Sequence, residues 1–133
     1  GSGTSQLSNY LATGTNNKIY AFDPTEPALR LGYDFASENN INNVIYINKS
    51  ISSGCIEQSP FNAIIIEGAV DHVPQKLLNQ LENEGRLIAI MSENDLCNAK
   101  MFTRKEAMFH SEHLFPCSLP ILSSFKGKKI FSF

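Results

Sequence analysis

The sequence predicts an α/β fold whose sheet is mostly parallel and turns antiparallel at its C-terminal end. Three observations carry that prediction. Residues 61–66 (FNAIII) and 86–91 (RLIAIM) are short, almost unbroken apolar runs, the pattern of parallel strands buried on both faces in the middle of a sheet. A helical stripe separates them, so a crossover joins the two strands and they run parallel, nearly always with a right-handed connection. Beyond Met91 no helix is long enough to cross between strands, which implies hairpins. All 133 residues are expected to form a single domain.

The chain opens with Gly1-Ser2-Gly3-Thr4-Ser5, and residues 6–13 read as a short helix with Leu7, Tyr10 and Leu11 on one side. A glycine-rich turn leading into a helix offers bare N–H groups and a positive dipole end to an anion or a polar cofactor. Gly-Ser-Gly is equally a common cloning remnant. Residues 18–22 (KIYAF) form the next strand, after the turn cluster Gly14-Thr15-Asn16-Asn17, and lead into Asp23. An acid at the tip of such a strand can accept hydrogen bonds from two ribose hydroxyls. The same residue can also start a helix: Asp23 as N-cap, Pro24 at the first helical position and Glu26 three residues on resemble a capping box.

The helix at 25–39 carries Ala28, Leu29, Leu31, Phe35 and Ala36 and stops in an Asn-rich turn, for whose composition the sequence suggests no physical purpose. Residues 44–47 are a strand. The loop 48–54 leaves it at the carboxyl edge of the sheet, where a small polar side chain such as Ser50 can reach an adenine or simply face solvent. After the strand at 61–66, a loop at 67–72 (EGAVDH) follows at that same edge, where ligands of open α/β sheets bind. Pro74 then suits a first helical turn, Leu77, Leu78 and Leu81 make one stripe, and Gly85 ends the helix expected at 74–81. Strands are expected at 99–104, 108–115 and 129–133, with turns at 94–98 and 105–106. Phe102, Phe109, Phe115, Phe125, Phe131 and Phe133 are expected to supply aromatic burial rather than a stacking platform.

Composition excludes several classes of function. Eleven basic and thirteen acidic side chains leave a formal charge of −2, and Lys126, Lys128 and Lys129 are too few to make a nucleic-acid surface. No apolar run approaches the roughly 18 residues of a membrane span, and no signal sequence opens the chain. Cys55, Cys97 and Cys117 form no CxxC pair and read as reduced thiols. A cytoplasmic location is expected. His110 and His113 fall on opposite faces of a strand with no thiol or carboxylate pattern beside them, so no metal is assigned. His72, in the loop after residues 61–66, is a solvated or structural histidine unless it touches chemistry.

Taken together, the glycine turn, the strand tipped by Asp23, the strand with a polar loop and the stretch at 59–91 resemble the protein-L-isoaspartate O-methyltransferase family. That family belongs to the S-adenosylmethionine-dependent methyltransferases of the seven-stranded class. The telling residues are Pro60-Phe61-Asn62-Ala63-Ile64-Ile65, then Val73-Pro74 with Leu77 and Leu78, then Gln80-Leu81 and Gly85-Arg86-Leu87. Glu67-Gly68-Ala69-Val70 and the pairs Leu114-Phe115 and Leu119-Pro120 are more similar to a divergent bacterial branch. The resemblance implies a Rossmann-like class I methyltransferase sheet that binds S-adenosylmethionine. It implies cofactor contacts from Gly1, Gly3 and Ser5 in the glycine turn, with Ser5 where a third glycine is usual. It implies Asp23 as the ribose-binding acid, Ser50 where an aspartate near the adenine is usual, and Glu67 and Gly68 in the edge loop by the methyl-donor pocket. The serines at 5 and 50 imply weak cofactor binding, since one narrows the backbone's approach and the other removes a charged acceptor.

The resemblance also implies that the family's N-terminal segment and first strand lie before Gly1. That strand is central, flanked by the strands at 18–22 and 61–66, and leaving its neighbours unpaired is costly. Residues upstream of Gly1 are therefore expected; the alternatives are direct pairing of the two flanking strands, or a second chain in a homo-oligomer. The implied activity is methylation of a carboxylate, most naturally an isoaspartyl side chain of a damaged protein or peptide. The competing readings are a catalytically inactive methyltransferase-like domain used for cofactor sensing or protein contact, and a dinucleotide-binding oxidoreductase. The antiparallel run after Met91 disfavours the latter.

Overall fold

The computed structural model describes residues 2–94 and 96–117. Gly1, the strand expected at 129–133 and the aromatic burial expected of Phe125, Phe131 and Phe133 lie outside the described residues. The backbone divides into two units, Gly1–Ile51 and Ser52–Phe133.

In the first unit, helix α1 (Gln6–Thr13), strand β1 (Ile19–Asp23), helix α2 (Glu26–Glu38) and strand β2 (Val44–Asn48) follow in order. The strands pair in parallel, from Ile19 opposite Val44 to Asp23 opposite Asn48, so α2 is the crossover of a βαβ unit. The faces turned inward differ from the apolar spacing wholly in α1 and in part in α2. α1 buries Ser8, Asn9 and Ala12 and leaves Tyr10 74% exposed. α2 buries Leu29, Gly32 and Ala36 and leaves Leu31 and Phe35 in solvent.

Gly32 explains the choice of face in α2. A Cβ there would stand 2.7 Å from the Thr4 carbonyl oxygen and 2.9 Å from the Ser5 Cβ, so only glycine lets the helix lie this close to the N-terminal turn. With Gly32 inward, Leu29 and Ala36 share its face at spacings of three and four, and Leu31 and Phe35 are carried outward.

Polar side chains finish the packing. The Asn9 amide donates to the Gly32 carbonyl at 3.0 Å, and the Tyr46 hydroxyl lies 2.5 Å from Asn9 Oδ1 and 3.1 Å from the same carbonyl. Asn43 Nδ2 sits 3.0, 2.9 and 3.0 Å from the carbonyls of Ala12, Thr15 and Asn17, sealing the turn after α1 onto the start of β2. The asparagine bias acquires a purpose here: short amides reach backbone that no regular ladder satisfies.

The second unit holds strand β3 (Phe61–Val70), helix α3 (Gln75–Leu78), and strands β4 (Leu81–Glu93), β5 (Leu96–Lys105) and β6 (Met108–Cys117), in one sheet ordered β3-β4-β5-β6. β3 and β4 are parallel, whereas β4–β5 and β5–β6 are antiparallel, as expected for this end of the chain. β3 is nevertheless an edge strand of this sheet and not a central one. Its first half is not buried on both faces: Asn62 and Ala63 are exposed and Ile65 is 44% exposed, with full burial only at Ile66, Ala69 and Val70. Burial on two faces needs covering layers on both, and the four-residue α3 covers little. β1 and β3 fall in different sheets, so direct pairing between them is not realised among the described residues.

The crossover differs in detail from its sequence pattern. Pro74 stands before α3 as its N-cap, Asn79 follows its end, and Leu81 begins β4 instead of completing a helical stripe. Gly85 does not end the helix. It lies inside β4, where a Cβ would stand 3.0 Å from the Phe61 carbonyl oxygen, so it permits the close approach of two strands. The register jumps there, from Phe61 opposite Leu81 to Ala63 opposite Arg86.

Gln80 holds the surrounding loop: its Oε1 accepts from the Cys55 amide at 2.8 Å, and its Nε2 donates to the Ser53 carbonyl at 2.9 Å. The core here is aliphatic, with Val70, Leu77, Leu81, Leu87, Ala89 and Ala99 almost wholly buried. The aromatic burial expected of β5 and β6 is not found. Phe102, on the inner strand β5, and Phe109 are half-buried and Phe115 is exposed; the last two stand on the edge strand β6.

Two substitutions separate the interior of this sheet from its edge. Leu87→Ala should cost about 2–5 kcal/mol in urea unfolding, whereas Ile65→Ala should cost under about 1 kcal/mol. Equal losses would contradict the one-sided burial of β3. In the first unit, burial pushes the Tyr46 hydroxyl above the usual phenol range, against the lowering effect of its Asn9 hydrogen bond. A raised folded pKa favours the neutral phenol. Its contribution is complete below the unfolded value of about 10 and is lost as pH rises toward the folded one. Tyr46→Phe should lose about 1 kcal/mol at neutral pH and flatten the alkaline fall in stability; an unchanged alkaline limb would refute this.

Candidate functional site

Asp23 organises the carboxyl end of the β1–β2 pair. It is the last residue of β1 and only 7% exposed, yet it is not the N-cap of α2, which is Thr25. Its Oδ1 accepts from the Thr25 amide at 2.8 Å, the local turn that aspartate makes with backbone two residues on. Its Oδ2 accepts from the Gly3 amide at 2.9 Å. One carboxylate therefore fixes both the start of α2 and the N-terminal turn. Two hydrogen bonds leave part of its acceptor capacity, about four lone-pair sites, open.

The turn itself is shaped by left-handed backbone. Gly3 has φ 52° and Ser5 has φ 58°, and the Ser5 amide returns to the Ser2 carbonyl at 2.7 Å. The Ser2 amide in turn donates to the Phe22 carbonyl at 2.8 Å, which ties the turn to the end of β1. A Cβ at Gly3 would meet nothing within 4 Å, so the backbone there faces open space. Ser5 is wholly buried, with its hydroxyl 3.1 Å from that of Ser2. The narrowing expected of Ser5 is thus not made by an exposed side chain; its bulk is taken up against Gly32. Ser50 is exposed and lies two residues beyond Asn48, the register partner of Asp23, at the same end of the pair. Gly1 lies outside the described residues.

The second unit has a carboxyl rim of its own. Glu67 and Gly68 are half-buried and belong to β3, which runs on to Val70; the expected loop begins only at Asp71. A register break between Ile65 and Ala69 accommodates them, with Gly68 at φ 143°. Such a bulge re-aims side chains at a strand end. His72 is exposed, with Nδ1 2.5 Å from Asp71 Oδ1. Further along the rim, the hydrogen bond from Lys100 (2.8 Å) and its charge hold the exposed Glu93 below the usual carboxylate range; the His113 charge adds a smaller effect.

Thr25 and Gly32 are the participants that sequence patterning missed, since each acts through backbone, and the spacing of Gly32 from Leu29 and Ala36 is the one local signal for it. At the opposite end of the second sheet, a shallow groove is lined by Glu84, Arg86, Thr103, Lys105, His110 and Glu112, a mixture of signs that selects no ligand class. No group of three or more metal-ligating side chains occurs among the described residues, and none of their helices is long and apolar enough to cross a membrane.

Comparison with known proteins gives a consistent result. Residues 27–120 match the family model described as protein-L-isoaspartate(D-aspartate) O-methyltransferase. A curated protein-L-isoaspartate O-methyltransferase of Methanospirillum hungatei is 29% identical over 101 residues, 72% of this chain and 47% of that protein. The chain thus spans about half the length of this relative. A solved protein-L-isoaspartate O-methyltransferase superposes with a TM-score of 0.84 at 20% identity, over 92% of this chain and 40% of the other. A Plasmodium falciparum candidate for the same activity, crystallised with S-adenosyl-L-homocysteine, superposes with a TM-score of 0.73 at 18% identity, over 93% of this chain and 63% of that one.

Removing the Asp23 carboxylate tests the geometry directly. Asp23→Ala leaves the Gly3 and Thr25 amides without their acceptor and should cost about 1–3 kcal/mol in chemical unfolding. Asp23→Asn keeps one acceptor oxygen and should cost less. A loss within a few tenths of a kcal/mol for Asp23→Ala would show that the carboxylate does not hold the turn.

Proposed function

Because the chain belongs to the protein-L-isoaspartate(D-aspartate) O-methyltransferase family, we propose that it is part of an S-adenosylmethionine-dependent protein carboxyl O-methyltransferase acting on isoaspartyl side chains of damaged proteins or peptides. The observation that carries the reading is the buried Asp23 carboxylate bonded to the Gly3 amide beside open space. A nucleoside needs both features: acceptors for its ribose hydroxyls, and backbone bare enough for close approach.

In this reading Asp23 binds ribose with the acceptor capacity that Gly3 and Thr25 leave open. Gly3 and Ser5 shape the turn under the cofactor, and Gly1 joins them by its place in the motif. Resemblance to the family assigns Ser50 to the adenine, and Glu67 and Gly68 to the methyl-donor end. S-adenosylmethionine supplies an electrophilic methyl group on a good thioether leaving group. What the protein must add is mainly alignment of the acceptor carboxylate with that group, since positioning alone removes much of such a barrier. A conspicuous acid–base cluster is not required. The inactive-domain alternative has no support among the relatives above, which carry the enzyme's name.

Titration calorimetry with S-adenosyl-L-homocysteine should show binding, weak rather than tight because Ser50 provides no charged acceptor for the adenine amino group. Asp23→Asn should weaken it about tenfold or more, equivalent to about 1.4 kcal/mol. No heat at millimolar ligand would defeat the proposal for this chain. Methyl transfer to an isoaspartyl peptide, and not to its aspartyl counterpart, is the expected activity.

A further inference from the structure

Cys97 and Cys117 are twenty positions apart in sequence yet are register partners, directly opposite on β5 and β6. Both are half-buried and neither is in a disulfide. Directly opposed residues of an antiparallel pair point to the same face, with Cα atoms about 4.5 or 5.5 Å apart. Both spacings lie inside the range of about 4.4–6.8 Å that a disulfide spans. Cys55, the third thiol, is buried in the loop before β3, where its Sγ donates to Glu57 at 3.1 Å.

From this register we propose that Cys97 and Cys117 form a reversible disulfide site on the carboxyl rim of the second sheet. The row Ser92–Cys97–Cys117 runs immediately beyond Val70–Met91–Asn98–Pro116. The pair therefore sits at the same end of the sheet as Glu67 and Gly68, across the strands that carry them. Opposed strand positions hold their Cβ atoms about 4.5–5.5 Å apart, wider than the relaxed disulfide value of about 3.8 Å. The link is strained accordingly and is readily reduced, which suits a reversible modification better than a structural bridge. Cys97 is the second residue of β5, and backbone yields most easily near a strand end.

The oxidant is a low-molecular-weight disulfide such as glutathione disulfide. One cysteine thiolate attacks a sulfur of that disulfide, its S–S bond breaks, and one small thiolate leaves with the electron pair. The opposing thiolate then attacks the protein sulfur of the mixed disulfide, the Cys97–Cys117 bond forms, and the second small thiolate departs. Two electrons pass from the protein to the small disulfide, and the two protons lost by the cysteines are taken up by the two departing thiolates. No bound nucleoside is needed, so the chemistry stands or falls independently of the proposed methyl transfer.

The test is incubation of the reduced protein with glutathione disulfide, alkylation of remaining thiols, and non-reducing peptide mass mapping. The expected result is a Cys97–Cys117 linked peptide pair in monomeric protein, with the loss of two hydrogens, reversed by dithiothreitol and unchanged in Cys55→Ser. In Cys117→Ser the link should vanish and Cys97 should accumulate as a stable glutathione adduct. Unresolved adducts on both cysteines of the wild-type protein, a link through Cys55, a link between two chains, or no oxidation at all would each overturn the proposal.

Discussion

The first unit depends on one carboxylate that ends a strand and begins two other elements. Asp23 lies where β1 runs out of partners, and its oxygens receive the amides of Gly3 and Thr25, at 2.9 and 2.8 Å. Burying a carboxylate is costly unless hydrogen bonds compensate, and here backbone supplies them. The compensation is also the architecture. The N-terminal turn is drawn onto the end of β1, α2 leaves in a set direction, and Gly32 then lets that helix pack against Thr4 and Ser5. Asn9 and Tyr46 close the remaining polar positions around the Gly32 carbonyl.

The second unit repeats this logic with a neutral amide. Gln80, almost fully buried, takes the Cys55 amide on its oxygen and donates to the Ser53 carbonyl, and thereby ties the loop before β3 to the start of β4. Without such a clamp, a crossover whose helix is a single turn would have little to hold it. Buried polar groups that are fully hydrogen-bonded specify one arrangement, because most alternatives leave some of them unsatisfied. The chemistry proposed for the family site draws on the same property: the residue that would meet the ribose is held in place before any ligand arrives.

The residues of the candidate site could be named from the sequence because they stand in turns and at strand ends. Asp23 follows an apolar run directly, and Gly3 stands in a glycine turn before a helix, so both could be named from local pattern. The carboxylate's bonds to Gly3 and Thr25 could not, since the Gly3 contact spans twenty positions and backbone donors leave no mark in side-chain type. Glu67 and Gly68 read as a loop because the polar pair interrupts the apolar run; in the fold they sit within β3 at a register break that hydropathy does not reveal. The opposition of Cys97 and Cys117 was equally invisible, because it depends on the register of β6, including a shift between Ala99 and Lys100.

The sequence by itself determined the order and type of the elements: two parallel βα crossovers followed by antiparallel hairpins. Those features follow from periodicity, turn residues and connection length, all of which are local. Tertiary structure decided which faces are buried, where β3 sits and where α3 stops. Leu31, Phe35 and Ile65 are apolar and yet exposed, because burial is fixed by what lies opposite, and a side chain's hydrophobicity does not name its neighbour. Gly32 faces inward because a close helix contact rewards the absence of a side chain, an outcome that no scale of apolar character could rank.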